Sequence, residues 1–159
     1  MSKNALITAG SKNTGFEIAR KLAKNGYNVH ITSRSETDAK NAAKRIEEEF
    51  ENIKAYGYSL ELSCVSDIKN TFEKIRKNTD SLDIFVGNAA NLGIGLDTFS
   101  TDEESFDSVM DVNVKGTFFS SQQAAKMMAK NGGAIVLIGS VQGLGAVEGR
   151  AIYGISKAA

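Results

Sequence analysis

The chain has 159 residues, of which 42% are apolar and 24% charged, a composition that suits one globular domain with a hydrophobic core. Lys plus Arg equals Asp plus Glu at 19 each, and this zero net charge argues against a nucleic-acid or membrane-surface role. The single cysteine, Cys64, excludes an internal disulfide and fits a reducing compartment, and the single histidine, His30, argues against a structural metal site.

The N-terminus lacks the charged, apolar and small-residue regions of a signal peptide. No apolar run approaches the roughly 18 residues that a membrane-spanning helix needs. We therefore expect a soluble, cytoplasmic protein that has no nucleic-acid partner and no membrane partner.

Short apolar runs alternate with longer stretches of helical period, a pattern typical of a parallel sheet covered by helices. We therefore expect an α/β fold, a doubly wound parallel sheet in one domain over residues 1–159. The predicted strands lie at 5–8, 29–32, within 53–62, at 82–86 and at 134–139. The predicted helices lie at 15–25, 35–50, from 66 onward, at 101–110 and at 114–130, and a further helix begins near Tyr153.

Two helix starts carry the sequence pattern of a capping pair, Ser35 with Asp38 and Thr101 with Glu104. His30 lies inside the second predicted strand, where we interpret it as a packed or edge residue because no acid–base partner is evident. Four large apolar side chains on the long helix are interpreted as core or subunit interface: Phe118, Phe119, Met127 and Met128.

The segment Thr8-Ala-Gly-Ser-Lys-Asn-Thr-Gly15 lies between the first predicted strand and the first predicted helix. A dinucleotide-binding fingerprint requires this context. Glycine lets the backbone approach a pyrophosphate, and the helix N-terminus offers unpaired N–H groups to it. The segment therefore predicts a cofactor-binding loop.

Tyr153 and Lys157 are four positions apart, so a helix places them on one face, one turn apart. A free phenol titrates near pH ~10, and a nearby ammonium favours the phenolate. Ser140 follows the last predicted strand, at the edge where open α/β sheets bind their ligands. Together the three side chains could hold a carbonyl oxygen and deliver a proton to it, although a lone Tyr-x-x-x-Lys pair is usually a surface feature.

The sequence resembles the short-chain dehydrogenase/reductase family from about Lys3 to its last residue, and its ketoacyl-thioester reductases most of all. The resemblance rests on the order and spacing of the 8–15 loop, Val86-Gly-Asn-Ala-Ala90, Asn113, Ser140, and Tyr153 with Lys157. It implies a Rossmann fold, apparently truncated after the fifth strand, so that the C-terminal part of the family fold is absent. It also implies a homo-oligomer, dimer or tetramer, with the 114–130 helix as a plausible dimer face.

The resemblance further implies an oxidoreductase that transfers a hydride between NADP(H) or NAD(H) and a small carbonyl or alcohol substrate. Tyr153 would donate the proton, Lys157 would assist it and bind the ribose, Ser140 would bind the substrate oxygen, and Asn113 would support a water path to Lys157. Glu61 and Leu62 would lie beside the adenine. The expected cofactor-binding residues are Thr8, Gly10, Ser11, Lys12, Gly15, Phe16, Ser33, Arg34, Glu61, Leu62, Asn88, Ala89 and Ala90.

The loop departs from the family pattern, which is Thr-Gly, three residues, Gly, one residue, Gly. Ala9 and Asn13 stand where the family has glycine, although Asn tolerates left-handed backbone better than most residues. The second strand ends at Ser33 and Arg34, where enzymes that use NAD often have an acid that binds the ribose. Arg34 and Lys12 could instead pair with a 2′-phosphate, which favours NADP, unless both are merely solvated.

Three questions stay open at this stage. The chain could be a non-catalytic dinucleotide-binding fragment or sensor, because it ends at Ala159 with the last helix barely formed. A sugar-nucleotide epimerase shares Tyr-x-x-x-Lys, but the 8–15 spacing argues against it. The substrate could be a fatty-acyl thioester, a sugar, a steroid or a small diketone, and residues 91–99 and 142–150 are expected to line its cleft.

Overall fold

The computed structural model describes residues 3–94, 98–145 and 147–159. Gly95 and Ala146, which belong to the two predicted cleft segments, lie outside the described residues. Within the described ranges, five parallel strands form one sheet in the order β3-β2-β1-β4-β5. The predicted α/β fold with a doubly wound parallel sheet is therefore confirmed.

The elements alternate along the chain as predicted, and most bounds differ from the prediction by one or two residues. The strands are β1 (Lys3–Ile7), β2 (Tyr27–Ser33), β3 (Ala55–Ser59), β4 (Ile84–Gly87) and β5 (Ala134–Leu137). The helices are α1 (Asn13–Lys24), α2 (Glu36–Glu49), α3 (Val65–Arg76), α4 (Glu103–Met110), α5 (Thr117–Met128) and α6 (Ala151–Ala158). A 3₁₀ turn, Val141–Gly143, lies between β5 and α6.

Helices cover both faces of the sheet, and each face has its own apolar core. On one face, α1 and α2 pack on β1 and β2 through side chains such as Ala19, Ile46 and Ile31. On the other face, α3 and α5 pack on β1 and β4 through side chains that include Phe72 and Phe85. Because helices cover both faces of the sheet, side chains on both sides of a central strand are buried, which explains the continuous apolar runs in β1 and β4.

The capping predictions had mixed outcomes. The Ser35 hydroxyl accepts a hydrogen bond from the Asp38 backbone N–H, which confirms the first pair. The second prediction was wrong by one position, because α4 is capped by Asp102, whose carboxylate accepts from the Ser105 backbone N–H. A carboxylate is at least as good a cap as a hydroxyl and also favours the positive end of the helix dipole.

The predicted break between two helices at 111–113 was also wrong. The chain stays helical from α4 to α5 through a π-helical segment, Asp111–Gly116. Such segments hold one extra residue in the helix and occur most often at functional sites. Asn113 lies inside the segment with its side chain 6% exposed.

Strand β5 forms one edge of the sheet within the described residues, and all four of its residues are exposed. The apolar surface continues into the next residue, with exposed fractions of 41% at Ile135, 52% at Leu137 and 36% at Ile138. Among the described residues, no helix is long and apolar enough to cross a membrane.

His30 lies at the centre of β2 with no exposed surface, as the packed-residue interpretation requires. Its Nδ1 lies 3.0 Å from the Tyr58 hydroxyl, which also accepts a hydrogen bond from Asn78 Nδ2 at 3.0 Å. The imidazole stacks on Tyr56 and Tyr58, with ring centroids 5.0 and 5.8 Å apart. Its Nε2 has no hydrogen-bond partner among the residues described.

We expect this histidine to make the fold sensitive to acid. Burial lowers the pKa of His30 to about 4. The unfolded chain binds this proton below about pH 6.5 and the folded chain does not, so stability falls as pH decreases from 6.5 toward 4. Between pH 7 and pH 4.5 the loss from this group should be roughly 2 kcal/mol.

Denaturant unfolding of the parent and of His30→Phe at both pH values measures this effect. Titration of the carboxylates changes the stability of both proteins equally. The difference between the pH dependences of the two proteins therefore gives the contribution of the His30 imidazole. An equal loss of stability in the two proteins would contradict the prediction.

Candidate active site

The loop between β1 and α1 has the backbone that its sequence context predicts. Ala9 and Asn13 have φ values of 50° and 49°, the left-handed conformation that glycine adopts most easily. Gly15 lies tightly against the loop, since a Cβ there would be 2.3 Å from the Ala9 carbonyl oxygen and 2.6 Å from Asn88 Nδ2. Ala9 and Asn13, which stand where the family has glycine, therefore keep a left-handed backbone at both positions.

Thr8 and Asn88 join the carboxyl ends of β1 and β4. The Thr8 hydroxyl accepts hydrogen bonds from the backbone N–H groups of Asn88 at 2.9 Å and Ala89 at 3.1 Å. Asn88 Nδ2 donates to the carbonyls of Thr8 at 3.0 Å and Ala9 at 3.3 Å. These bonds fix the shape of the loop beneath any ligand that lies on it.

A cleft of about 670 Å³ opens at the carboxyl ends of β1, β2, β3 and β4. The cleft is lined by many of the residues that the resemblance assigns to the cofactor: Ser11, Lys12, Ser33, Arg34, Glu61, Leu62, Ala89 and Ala90. The predicted segment 91–99 contributes Asn91, Leu92, Gly93 and Ile94. Hydroxyls, two cations and apolar side chains together suit a phosphorylated nucleoside.

The other expected cofactor residues do not line the cleft. Thr8, Gly10, Gly15 and Asn88 lie below it, and the Gly10 backbone N–H donates to the Thr32 carbonyl at 2.9 Å. The Phe16 ring is 7% exposed and packs under the Arg45 guanidinium, 4.3 Å from the ring centroid. These residues shape the loop, and the Phe16 side chain points into the core.

Sequence reasoning missed several residues of this cleft. The most consequential is Asp38, an acid in the first turn of α2, beside Arg34 and Ser35 in the lining. It was interpreted only as a capping partner. The position of Asp38 just after β2, at the ligand-binding edge of the sheet, is the sequence feature that could have identified it. The remaining missed lining residues are Ala9, Thr32, Ser35, Leu60 and Val112.

Asn113 joins three parts of the chain. Its Oδ1 accepts from the Asn91 backbone N–H at 2.7 Å, and its Nδ2 donates to the Asn91 carbonyl at 2.8 Å. Nδ2 also donates to the Ser156 hydroxyl on α6 at 2.8 Å. The side-chain amide therefore uses both of its hydrogens within the protein.

Helix α6 holds Tyr153 and Lys157 on one face. Lys157 Nζ lies 5.9 Å from the centroid of the Tyr153 ring and donates to the Ile138 carbonyl at 2.9 Å. Burial lowers the pKa of Lys157. The sequence spacing is thus realised as a cation beside a phenol, at the carboxyl end of β5.

Ser140 caps the 3₁₀ turn, where its hydroxyl accepts from the Gln142 backbone N–H at 3.2 Å. The turn packs closely on α6, since a Cβ at Gly143 would lie 2.4 Å from the Lys157 carbonyl oxygen. The structure therefore brings the turn that carries Ser140 onto the helix that carries Tyr153. Within the part of the chain that is described, no group of three or more His, Cys, Asp or Glu could hold a metal ion.

Comparison with known proteins places this geometry in context. A family model described as short chain dehydrogenase matches residues 3–159. The 3-oxoacyl-[acyl-carrier-protein] reductase FabG of Staphylococcus aureus is 31% identical over 163 residues, which cover 99% of this chain and 64% of that protein.

Two solved structures show the same fold over nearly the whole chain. The 3-oxoacyl-[acyl-carrier protein] reductase from Brucella melitensis in complex with NAD is 29% identical with a TM-score of 0.89, over 99% of this chain and 63% of that one. A variant of actinorhodin polyketide ketoreductase with NADPH is 29% identical with a TM-score of 0.91, over 99% of this chain and 60% of that one. The chain thus spans less than two thirds of the length of these relatives.

Proposed function

Because this chain belongs to the short-chain dehydrogenase family, we propose that it acts as an oxidoreductase on a carbonyl or alcohol substrate with a nicotinamide dinucleotide. The observation that carries the proposal is the placement of Lys157 Nζ 5.9 Å from the Tyr153 ring centroid, on a helix packed against the turn of Ser140. A phenol beside a partly buried cation is suited to proton transfer at a substrate oxygen.

The residues of the cleft fit such a cofactor. The close approach of Gly15 to the loop leaves no room for a side chain, and the hydroxyls of Ser11 and Ser33 and the cations of Lys12 and Arg34 suit phosphate and ribose. When bound, the cofactor supplies or accepts the hydride, and the protein orients it.

The chain's own residues then handle the proton and the substrate oxygen. Tyr153 donates its hydroxyl proton to the oxygen of the carbonyl substrate during reduction and takes it back during oxidation. Lys157 stabilises the negative charge that remains on the tyrosine oxygen. Ser140 donates a hydrogen bond to the substrate oxygen, which polarises the carbonyl. Asn113 holds α6 through Ser156, so any support that it gives to a water path to Lys157 comes from an acceptor and not from its side-chain hydrogens.

The substrate and the assembly are proposed from the relatives. Two of the similar proteins are named 3-oxoacyl carrier-protein reductases, which supports a 3-oxoacyl thioester as the substrate class. A homo-oligomer through α4 and α5 is supported by exposed aromatic side chains there, with Phe118 62% and Phe106 39% exposed.

We favour NADP over NAD as the cofactor. Arg34 and Lys12 both line the cleft and can pair with a 2′-phosphate, whereas Asp38 lies in the same lining and opposes an anion. The solved relatives contain both forms, NAD in one and NADPH in the other. The lining also holds a second acid, Glu61, so net charge does not decide between the two forms, and the preference rests on Arg34, the cation that directly follows β2.

Replacing Arg34 with Ala should weaken NADPH binding about tenfold, the effect of losing one charge-assisted contact, and change NADH binding less than twofold. Quenching or enhancement of the nicotinamide fluorescence on titration measures both dissociation constants. Arg76→Ala is the matched control, because Arg76 lies on α3 and pairs with Glu73. An equal loss of affinity for both cofactors would contradict the 2′-phosphate role.

A second candidate is cofactor binding without turnover. The described residues that line the cleft all precede Asn113 in the chain, so α6 contributes none of them. A protein that binds NADPH but does not oxidise it with any 3-oxoacyl thioester would favour this candidate over the enzyme.

A further inference from the structure

We propose that Ser156 is a positioning residue that locks the helix carrying Tyr153 and Lys157 to the π-helical segment and to the loop after β4. This inference rests on the proposed function, because it concerns how the same proton-transfer pair is held. The sequence alone had indicated no role for the Ser156 side chain.

The Ser156 hydroxyl has two partners. It accepts a hydrogen bond from Asn113 Nδ2 and donates one to the Tyr153 carbonyl, each at 2.8 Å. The residue is 5% exposed. It is therefore a bridge inside the protein, joined on one side to Asn113 and on the other to the backbone of the residue that bears the phenol.

Asn113 makes this bridge rigid. Its two bonds to the backbone of Asn91 fix the amide plane, so the remaining Nδ2 hydrogen has one direction in which to point. Ser156 lies in that direction. These hydrogen bonds thus fix the position of α6 relative to the loop after β4. The same loop lines the cofactor cleft through Asn91.

Both members of the pair lie next to this bridge in the chain. Tyr153 precedes Ser156 by one helical turn, and Lys157 follows it directly. A second link, from Arg150 Nη1 to the Leu92 carbonyl at 2.9 Å, ties the start of α6 to the same loop. Without Ser156, α6 would keep the Arg150 link at its N-terminal end and the bond from Lys157 to the Ile138 carbonyl, but it would lose its side-chain bond to the π-helical segment.

The experiment compares Ser156→Ala with Ser120→Ala. Ser120 is a matched control, a serine 1% exposed whose hydroxyl bonds only to carbonyls of its own helical run, those of Gly116 and Thr117. The first readout is the titration of Lys157, followed by NMR in protein with ¹³C-labelled lysine and assigned with Lys157→Arg. The second is steady-state turnover alongside NADPH binding.

In Ser156→Ala we expect the pKa of Lys157 to rise toward its ordinary value, because the loosened helix exposes an ammonium whose pKa is lowered by burial. We expect kcat to fall by 20-fold or more, on the order expected for misplaced reacting groups, with the NADPH dissociation constant changing less than threefold. Ser120→Ala should leave the Lys157 titration and kcat as in the parent. Double replacement of Asn113 and Ser156 by Ala should be no worse than Asn113→Ala alone.

A Lys157 titration in Ser156→Ala that matches Ser120→Ala would overturn the inference. Ser156→Cys, which fills the site with a slightly larger atom and weakens both hydrogen bonds, replaces Ser156→Ala if that variant does not fold, with the same expectations. The titration does not depend on turnover. An inactive parent would therefore count against the proposed function, and the Lys157 signal would still decide the role of Ser156.

Discussion

Replacing Tyr153 with Phe should lower kcat by about 10²–10⁴-fold, the range that a positioned general acid contributes. The phenol hydroxyl is the group that the geometry offers for protonating a substrate oxygen, with Lys157 Nζ close to its ring. The substitution removes one oxygen atom and leaves the ring in place. It therefore tests the proton donor with little change in packing.

The measurement is NADPH oxidation in the presence of a 3-oxoacyl thioester, with NADPH binding followed in parallel. Tyr27→Phe is the matched control, because Tyr27 lies at the start of β2, at the opposite end of the strand from the cleft. NADPH binding should be retained in both variants, whereas turnover should be lost only in Tyr153→Phe. Turnover of Tyr153→Phe within tenfold of the parent would exclude Tyr153 as the proton donor.

Replacing Gly15 with Ala should weaken NADPH binding by at least 100-fold and destabilise the fold by about 1–3 kcal/mol, the usual cost of overpacking. A Cβ at Gly15 would lie 2.3 Å from a backbone oxygen, which cannot rotate away as the end of a side chain can. The loop must then shift, and with it the amide groups that we propose bind the pyrophosphate.

Fluorescence titration with NADPH and denaturant unfolding measure the two effects on Gly15→Ala. Gly145→Ala serves as the control, because a Cβ there would meet no heavy atom within 4 Å in the described part of the chain, and its backbone is outside the left-handed region. Unchanged NADPH affinity in Gly15→Ala would show that the loop does not hold the pyrophosphate.

Most of the fold could be predicted because its determinants are local and periodic. Each strand is an apolar run, and helices such as α3 show their buried face as a spacing, with Ile68, Phe72 and Ile75 all fully buried. Parallel strands then require helical crossovers, which leaves few arrangements. The cofactor loop could be predicted for the same reason, since strand, glycine-containing loop and helix are consecutive in the chain.

The parts of the site that could not be predicted depend on contacts between distant segments. Asn91, Asn113 and Ser156 meet only after β4, the π-helical segment and α6 are assembled. The periodicity of a sequence cannot identify a side-chain amide that donates both of its hydrogens to groups within the protein. The cap interpretation of Asp38 was confirmed, but its place in the cleft lining was missed for a related reason, because the lining is assembled from residues that follow four separate strands.

The π-helical segment has a consequence for how this sequence can change over evolution. An α-helix has about 3.6 residues per turn and a π-helical turn holds roughly one more, so α4 and α5 keep their orientation around the extra residue. Deleting one residue within Asp111–Gly116 should therefore restore a regular helix there and leave Ala124 and Met127, which are 0% and 3% exposed, in the core. The same deletion would move Asn113 away from Asn91 and Ser156. A one-residue deletion in this stretch should thus spare the fold and remove the link between α6 and the loop after β4.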